Sequence, residues 1–122
     1  MKAGLVVMSG LPGVGKTTLA RGVATHLGAV YVRIDSVEAA LRKDHISEPI
    51  GSAGYVVAHA IAADNLALGR MVVADSVNPW MPTRDAWCAL AERHRAECFE
   101  VEVVCTDEAE HRRRVECRSN DV

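Results

Sequence analysis

Residues 3–18 read AGLVVMS (3–9) and then GLPGVGKTT (10–18): an unbroken apolar run, followed by three glycines and a proline ahead of a lysine and two threonines. The apolar run suits a central parallel strand covered on both faces. Downstream, Leu19, Ala20, Val23, Ala24 and Leu27 recur at helical spacing, and Gly28 stands where a helix closes on glycine. Gly10, Gly15, Lys16 and Thr17 satisfy G-x-x-x-x-G-K-[ST] between that strand and that helix, the context in which the spacing marks a phosphate-binding loop. Glycines let successive backbone N–H groups turn toward one anion, and the helix start adds unpaired N–H groups and the positive end of its dipole. The candidate nucleotide-binding set is therefore Gly10, Gly13, Val14, Gly15, Lys16, Thr17 and Thr18. Lys16 is expected on the β- and γ-phosphates of ATP, with the Thr17 hydroxyl on Mg²⁺.

Strand and helix signals alternate along the rest of the chain. VYVRI (30–34) reads as a short strand ending at Asp35, a helix is expected from Ser36 to about Lys43, and an Ala-rich helix from about Ala53 to Leu68 is closed by Gly69. MVVA (71–74) is a second buried strand, ending at Asp75. Thr83 is placed to cap a helix carrying Trp87, Leu90 and Ala91, and CFEVEVVC (98–105) is a fourth strand with Glu100 and Glu102 on one face. Asp107 and Glu110 then form a capping-box pattern at the start of a very polar last helix. Alternating strands and helices imply right-handed crossovers and a parallel sheet, hence an α/β fold in one domain, 1–122.

In such a sheet ligands gather beyond the carboxyl ends of the strands. Asp35 and Asp75 both stand at such ends. Asp35 has two readings: a helix N-cap, with Glu38 three residues on, or a carboxylate facing the γ-phosphate that takes a proton from an attacking hydroxyl. Asp75 follows an apolar strand in the h-h-h-h-D order of a metal-side aspartate. In HRRRVECR (111–118), Glu108 and Glu116 lie four residues either side of Arg112, as on an ordinary solvated face. Arg114 and Arg118 form a like-charged pair at the same spacing, which an anionic phosphoryl group between two guanidinium forks would relieve.

Composition narrows the classes. Aromatic residues are 4% of the chain and apolar residues 49%, so the core must come from Val, Leu, Ile and Ala between regular elements. A net charge of -2 offers no global field for nucleic acid, and no run reaches the roughly 18 apolar residues of a membrane span. The N-terminus lacks the pattern of a signal peptide, which predicts a cytoplasmic protein. Cys88, Cys98, Cys105 and Cys117 include no C-x-x-C pair, so reduced and mostly buried thiols are expected. No N-K-x-D occurs, which argues against a GTPase.

VVMSGLPGVGKTTLAR (6–21), VRIDSVEAALR (32–42), MVVADSV (71–77) and RRVECR (113–118) together resemble, in order and over nearly the whole chain, a group of small P-loop kinases. These are the kinases related to 5′-hydroxyl polynucleotide kinases, chloramphenicol phosphotransferase and zeta-toxin-like kinases. The resemblance implies a P-loop NTPase fold, three layers α/β/α around a mainly parallel sheet of four strands. It implies ATP and Mg²⁺ as cofactors and transfer of the γ-phosphate to a hydroxyl acceptor, a small molecule or a nucleic-acid 5′-hydroxyl end. It further implies Asp35 as the base, Arg114 and Arg118 as a phosphoryl clamp on a lid-like helix over 107–122, and Arg42 in substrate holding. The sequence ends four residues after Arg118, where such kinases continue into a further strand and a closing helix. That predicts a sheet lacking its last strand and helix, with a free edge on the fourth strand to be covered by downstream sequence or by a second subunit in a homodimer. The alternative reading is a module that binds ATP without transferring phosphate.

Overall fold

The computed structural model describes residues 3–10, 15–44, 53–76 and 81–104. Its four strands are β1 (Gly4–Ser9), β2 (Val30–Arg33), β3 (Met71–Asp75) and β4 (Glu97–Glu102), and they form one sheet in the order β2-β3-β1-β4. All three pairings are parallel, with Val6 opposite both Val73 and Phe99, and Arg33 opposite Asp75. Parallel neighbours cannot be joined by a tight turn, so every connection crosses over through helix. The helices are α1 (Lys16–Leu27), α2 (Ile34–Lys43), α3 (Ala53–Ala67) and α4 (Met81–Arg93). The α/β expectation of a parallel four-stranded sheet with helices on both faces is met.

The two faces follow from the period of two in β1. Val6 and Met8 point one way and pack with Ala20 and Ala24 of α1 and with Val73. Leu5 and Val7 point the other way, into a larger cluster with Ala58, Ala62 and Leu66 of α3 and Trp87, Leu90 and Ala91 of α4. All six residues of β1 are buried, which is why Leu5 to Met8 form a continuous apolar run instead of alternating. Trp87, fully buried, lies against the ring of His59 at a centroid distance of 4.0 Å. Truncating such a side chain to alanine costs about 3–5 kcal/mol. Where α2 meets α3, a Cβ on Gly54 would stand 2.6 Å from Cγ of Glu38, so glycine there sets how closely the two helices approach.

Several boundaries differ from expectation, and each has a physical reason. β2 runs directly into α2, because buried Ile34 takes the first helical position and leaves extended Arg33 as the N-cap. Asp35 therefore lies inside the first turn and is not a cap. α4 begins at Met81, which places Thr83 within the helix instead of at its start. β4 pairs only with β1 in the described sheet, as an end strand, and exposes Phe99 and Val101 as well as its glutamates. The thiol expectation is overturned at two positions: Cys88 of α4 and Cys98 of β4 are joined by a disulfide, their Cα atoms 5.5 Å apart. Sequence spacing missed it because the crossover folds α4 back over the strand that follows it. Cys105, Cys117 and the expected polar helix over 107–122 lie outside the described residues.

Candidate functional site

The order β2-β3-β1-β4 fixes where a ligand can sit. The connection leaving β1 goes through α1 to β2 at one edge, whereas the connection leaving β3 goes through α4 to β4 at the other. The crevice between the carboxyl ends of β1 and β3 is thus the point where the winding reverses, the preferred ligand position in an open α/β sheet. Both ends are held in register there, since Met8 lies opposite Asp75 and the Ser76 N–H donates to the Met8 carbonyl at 2.9 Å.

From the β1 side the chain reaches this crevice through Gly10, which is buried, and Gly15, which has φ 91° and ψ 10°. The Gly15 conformation is open to glycine and strained for other residues. Gly15 is also the N-cap of α1, and it supplies no side-chain bond; the first turn of α1 carries no acidic residue either. The first amides of this helix therefore face the crevice end without a side-chain cap, a ready site for an anion. Gly13 and Val14 of the loop lie outside the described residues.

Lys16, the first residue of α1, is buried, and its ammonium forms an ion pair with Asp75 Oδ1. Thr17 Oγ1 donates to Asp75 Oδ2 at 3.0 Å. The side chain of Asp75 is fully buried, so this pair sits in a medium where unbalanced charge is costly. Thr18 is exposed on the same turn. The structure thus brings together three sequence candidates, Lys16, Thr17 and Asp75, from two elements more than fifty residues apart in the chain.

Two further side chains were not singled out by sequence. Tyr31 of β2 donates its hydroxyl to Asp75 Oδ2 at 2.6 Å, and Tyr55 of α3 shares a 2.8 Å hydrogen bond with Ser76 Oγ. Burial, and then the bond to the Asp75 carboxylate, push the Tyr31 hydroxyl up to about 12. Burial also raises that of Tyr55. These are the only two tyrosines in the chain, and both end on the Asp75-Ser76 step. No motif flags them; the signal would have been a lone tyrosine in a strand whose other residues are aliphatic or basic.

Asp35 lies one strand away, two residues past Arg33, the register partner of Asp75. Its carboxylate keeps some exposure, 18%, and Oδ2 stands 3.9 Å from Nη2 of Arg33. Arg33 is mostly buried, and its Nε has no hydrogen-bond partner among the described residues. Arg42 is exposed in the last turn of α2, two turns from Asp35 on the same helix. Arg114 and Arg118 lie outside the described residues.

The donor set can be tested for a cation. Thr17 and Asp75 present hard oxygens 3.0 Å apart, which fits Mg²⁺ held by one or two protein ligands together with phosphate oxygens and water. Among the described residues no group of three or more His, Cys, Asp or Glu side chains could cage a metal alone, so the fit is to a shared ion. No described helix is long and apolar enough to cross a membrane.

Comparison with known proteins agrees with this architecture. The fold is similar to that of a proposed kinase from Chloroflexus aurantiacus j-10-fl, with a TM-score of 0.83 at 18% identity, covering 99% of this chain and 68% of that one. It is similar to a gluconokinase from Sinorhizobium meliloti 1021, with a TM-score of 0.63 at 20% identity, covering 95% and 65%. It also resembles an APS kinase from Mycobacterium tuberculosis in complex with AMPPNP and APS, with a TM-score of 0.66 at 19% identity, covering 99% and 76%. The chain thus spans about two thirds of the length of the first two structures. A search of curated protein sequences finds no match. The sequence itself matches the AAA domain family over residues 5–122, from the first buried strand past the described sheet, and the chain belongs to that family.

Proposed function

We propose that this protein is an ATP-dependent kinase that moves the γ-phosphate to a hydroxyl of a small molecule or of a nucleic-acid 5′ end. The observation that carries the reading is the convergence of Lys16 and Thr17 on Asp75 at the reversal point of the sheet, directly beside the uncapped start of α1. Kinases among the structural neighbours support phosphotransfer over simple nucleotide storage.

In this reading the α1 amides and Lys16 hold the β- and γ-phosphates, and Thr17 and Asp75 hold Mg²⁺, which when bound neutralises developing charge on the phosphate oxygens. Asp35 accepts the proton of the acceptor hydroxyl as its oxygen bonds to the γ-phosphorus. The bond from that phosphorus to the β-phosphate oxygen breaks, and ADP and a phosphate ester leave. Arg33 keeps a positive charge beside Asp35, Arg42 contributes to holding the acceptor, and Arg114 with Arg118 would steady the transferring group. The division of labour between Asp75 and Asp35 rests on burial: the first is enclosed by three donors, the second keeps access to solvent and hence to an incoming hydroxyl.

The test is transfer of radiolabelled γ-phosphate to panels of alcohols, nucleosides, antibiotics and 5′-hydroxyl oligonucleotides. Labelled ester that depends on Asp35 supports the kinase. Tight Mg-ATP binding without transfer to any acceptor class points instead to a nucleotide-binding module.

A further inference from the structure

Asp75 receives three side-chain donors. Lys16 takes Oδ1, and Thr17 and Tyr31 share Oδ2 at 3.0 and 2.6 Å. On the proposed function, two of those donors are committed elsewhere: Lys16 to phosphate and Thr17 to the cation. The backbone of Asp75 is fixed by its ladder partners Met8 and Arg33, but a ladder sets Cα and leaves the χ angles of the carboxylate free. Tyr31 is the remaining hydrogen-bond donor. Its ring is anchored independently, packed against the cluster of Val6, Met8, Ala20, Ala24 and Val73, with Tyr31 directly opposite Val73 in the register. From that position the hydroxyl reaches one residue pair further along the same face to Asp75.

From this arrangement we infer that Tyr31 is a positioning residue for the cation site: its hydroxyl holds the Asp75 carboxylate in the orientation that serves Mg²⁺ once Lys16 and Thr17 have turned to the nucleotide. The inference rests on the kinase reading for the identity of the ligand, and on the geometry for the role of Tyr31. Residues that orient a metal ligand without touching the metal typically change metal affinity by about 10- to 100-fold when removed. An effect on the metal alone separates such a residue from one that merely supports the fold.

The experiment is calorimetric titration of ATP into wild type and Tyr31→Phe across a series of Mg²⁺ concentrations, with one series in EDTA. Phenylalanine keeps the ring in its apolar seat and removes only the hydroxyl. The expected result is that the Mg²⁺ concentration giving half-maximal enhancement of ATP binding rises roughly 10-fold or more in Tyr31→Phe, while ATP affinity in EDTA is unchanged. If the Mg²⁺ midpoint is the same in both proteins, Tyr31 does not position Asp75 and the kinase reading stands. If affinity falls equally with and without Mg²⁺, Tyr31 has a general structural role and the inference is overturned. If wild type binds no ATP under any condition, the inference falls together with the kinase reading.

Discussion

The chain contains the tripeptide Asp-Ser-Val twice after an apolar residue, as Ile34-Asp35-Ser36-Val37 and as Ala74-Asp75-Ser76-Val77. Both copies mark the end of a parallel strand, yet the structure treats them oppositely. Asp75 and Ser76 are each 1% exposed and are bonded by Lys16, Thr17, Tyr31 and Tyr55. Ser36 is exposed, and Asp35 keeps a partly open carboxylate with Arg33 at 3.9 Å. The cause is strand position. β3 lies inside the sheet with neighbours on both sides, whereas β2 is the end strand and turns into a helix as soon as Ile34 is buried. The carboxylate at the central strand end is enclosed by its donors; the one at the end strand keeps access to solvent.

The sharpest way to break this contrast is to neutralise each aspartate in turn. Asp35→Asn should leave folding nearly intact, since the residue is neither a cap nor fully buried. It should nonetheless cut phosphotransfer by roughly two to four orders of magnitude through loss of the base. ATP affinity, measured by calorimetry, should stay at the wild-type value. Turnover within a few-fold of wild type would assign Asp35 to helix-dipole stabilisation in the first turn of α2 and move the base elsewhere.

The matching change at the other site acts on stability first. Asp75→Asn leaves the Lys16 ammonium buried without a counter-charge, and breaking a buried pair in this way costs about 3–5 kcal/mol. Urea unfolding should show that loss, and the double variant Asp75→Asn with Lys16→Met should recover part of it because no orphaned charge remains. A single variant as stable as wild type would mean that Lys16 finds water or another acceptor, and that the crevice is wetter than the geometry indicates.

Much of this was legible in the sequence, and the remainder shows what kind of information a sequence lacks. The strands and the helix after Gly15 followed from local patterns whose physics is short-range: apolar runs, glycine conformations, a helix start; the ion pair of Lys16 with Asp75 did not, since the sequence placed Lys16 on phosphate and Asp75 with Thr17 on Mg²⁺. Trp87, Leu90 and Ala91, expected together on one helix, share its buried side. The position of Asp35 within α2 was missed because it depends on Ile34 being buried from across the sheet. The Cys88–Cys98 disulfide and the Tyr31 contact were missed for the same reason, since both are made between elements that only the crossover order brings together. The runs before the two Asp-Ser-Val copies differ, MVVA ahead of Asp75 and VYVRI ahead of Asp35, and suggested different roles, but which of the two strands lies inside the sheet was not legible, because strand order is set by the crossovers.

The serines sharpen the comparison on a smaller scale. Ser76→Ala removes the partner of the Tyr55 hydroxyl at a fully buried position and should lower stability by about 0.5–1.5 kcal/mol. Ser36→Ala changes an exposed residue and should fall within about 0.5 kcal/mol of wild type. Equal effects in thermal unfolding would mean that the second tyrosine contributes nothing to holding the β3 end.

The weakest expected difference is a pH dependence on the Asp75 side. The Tyr31 hydroxyl is pushed up to about 12 from an ordinary value of 10.0, by burial first and then by the Asp75 carboxylate it bonds. A folded-state value above the unfolded one means that the native protein holds this proton more tightly than the unfolded chain does. The associated stability is fully present below pH 10 and is lost as pH rises toward 12, where the phenolate would face the carboxylate. The half-open surroundings of the ring let solvent screen the effect, so it should be modest. Denaturant midpoints measured from pH 9 upward should fall more steeply for wild type than for Tyr31→Phe, because the phenylalanine variant has no proton to lose there. Parallel slopes for wild type and Tyr31→Phe would show that the hydroxyl titrates as it does in the unfolded chain, and would remove the electrostatic part of the distinction between the two aspartates while leaving the steric part intact.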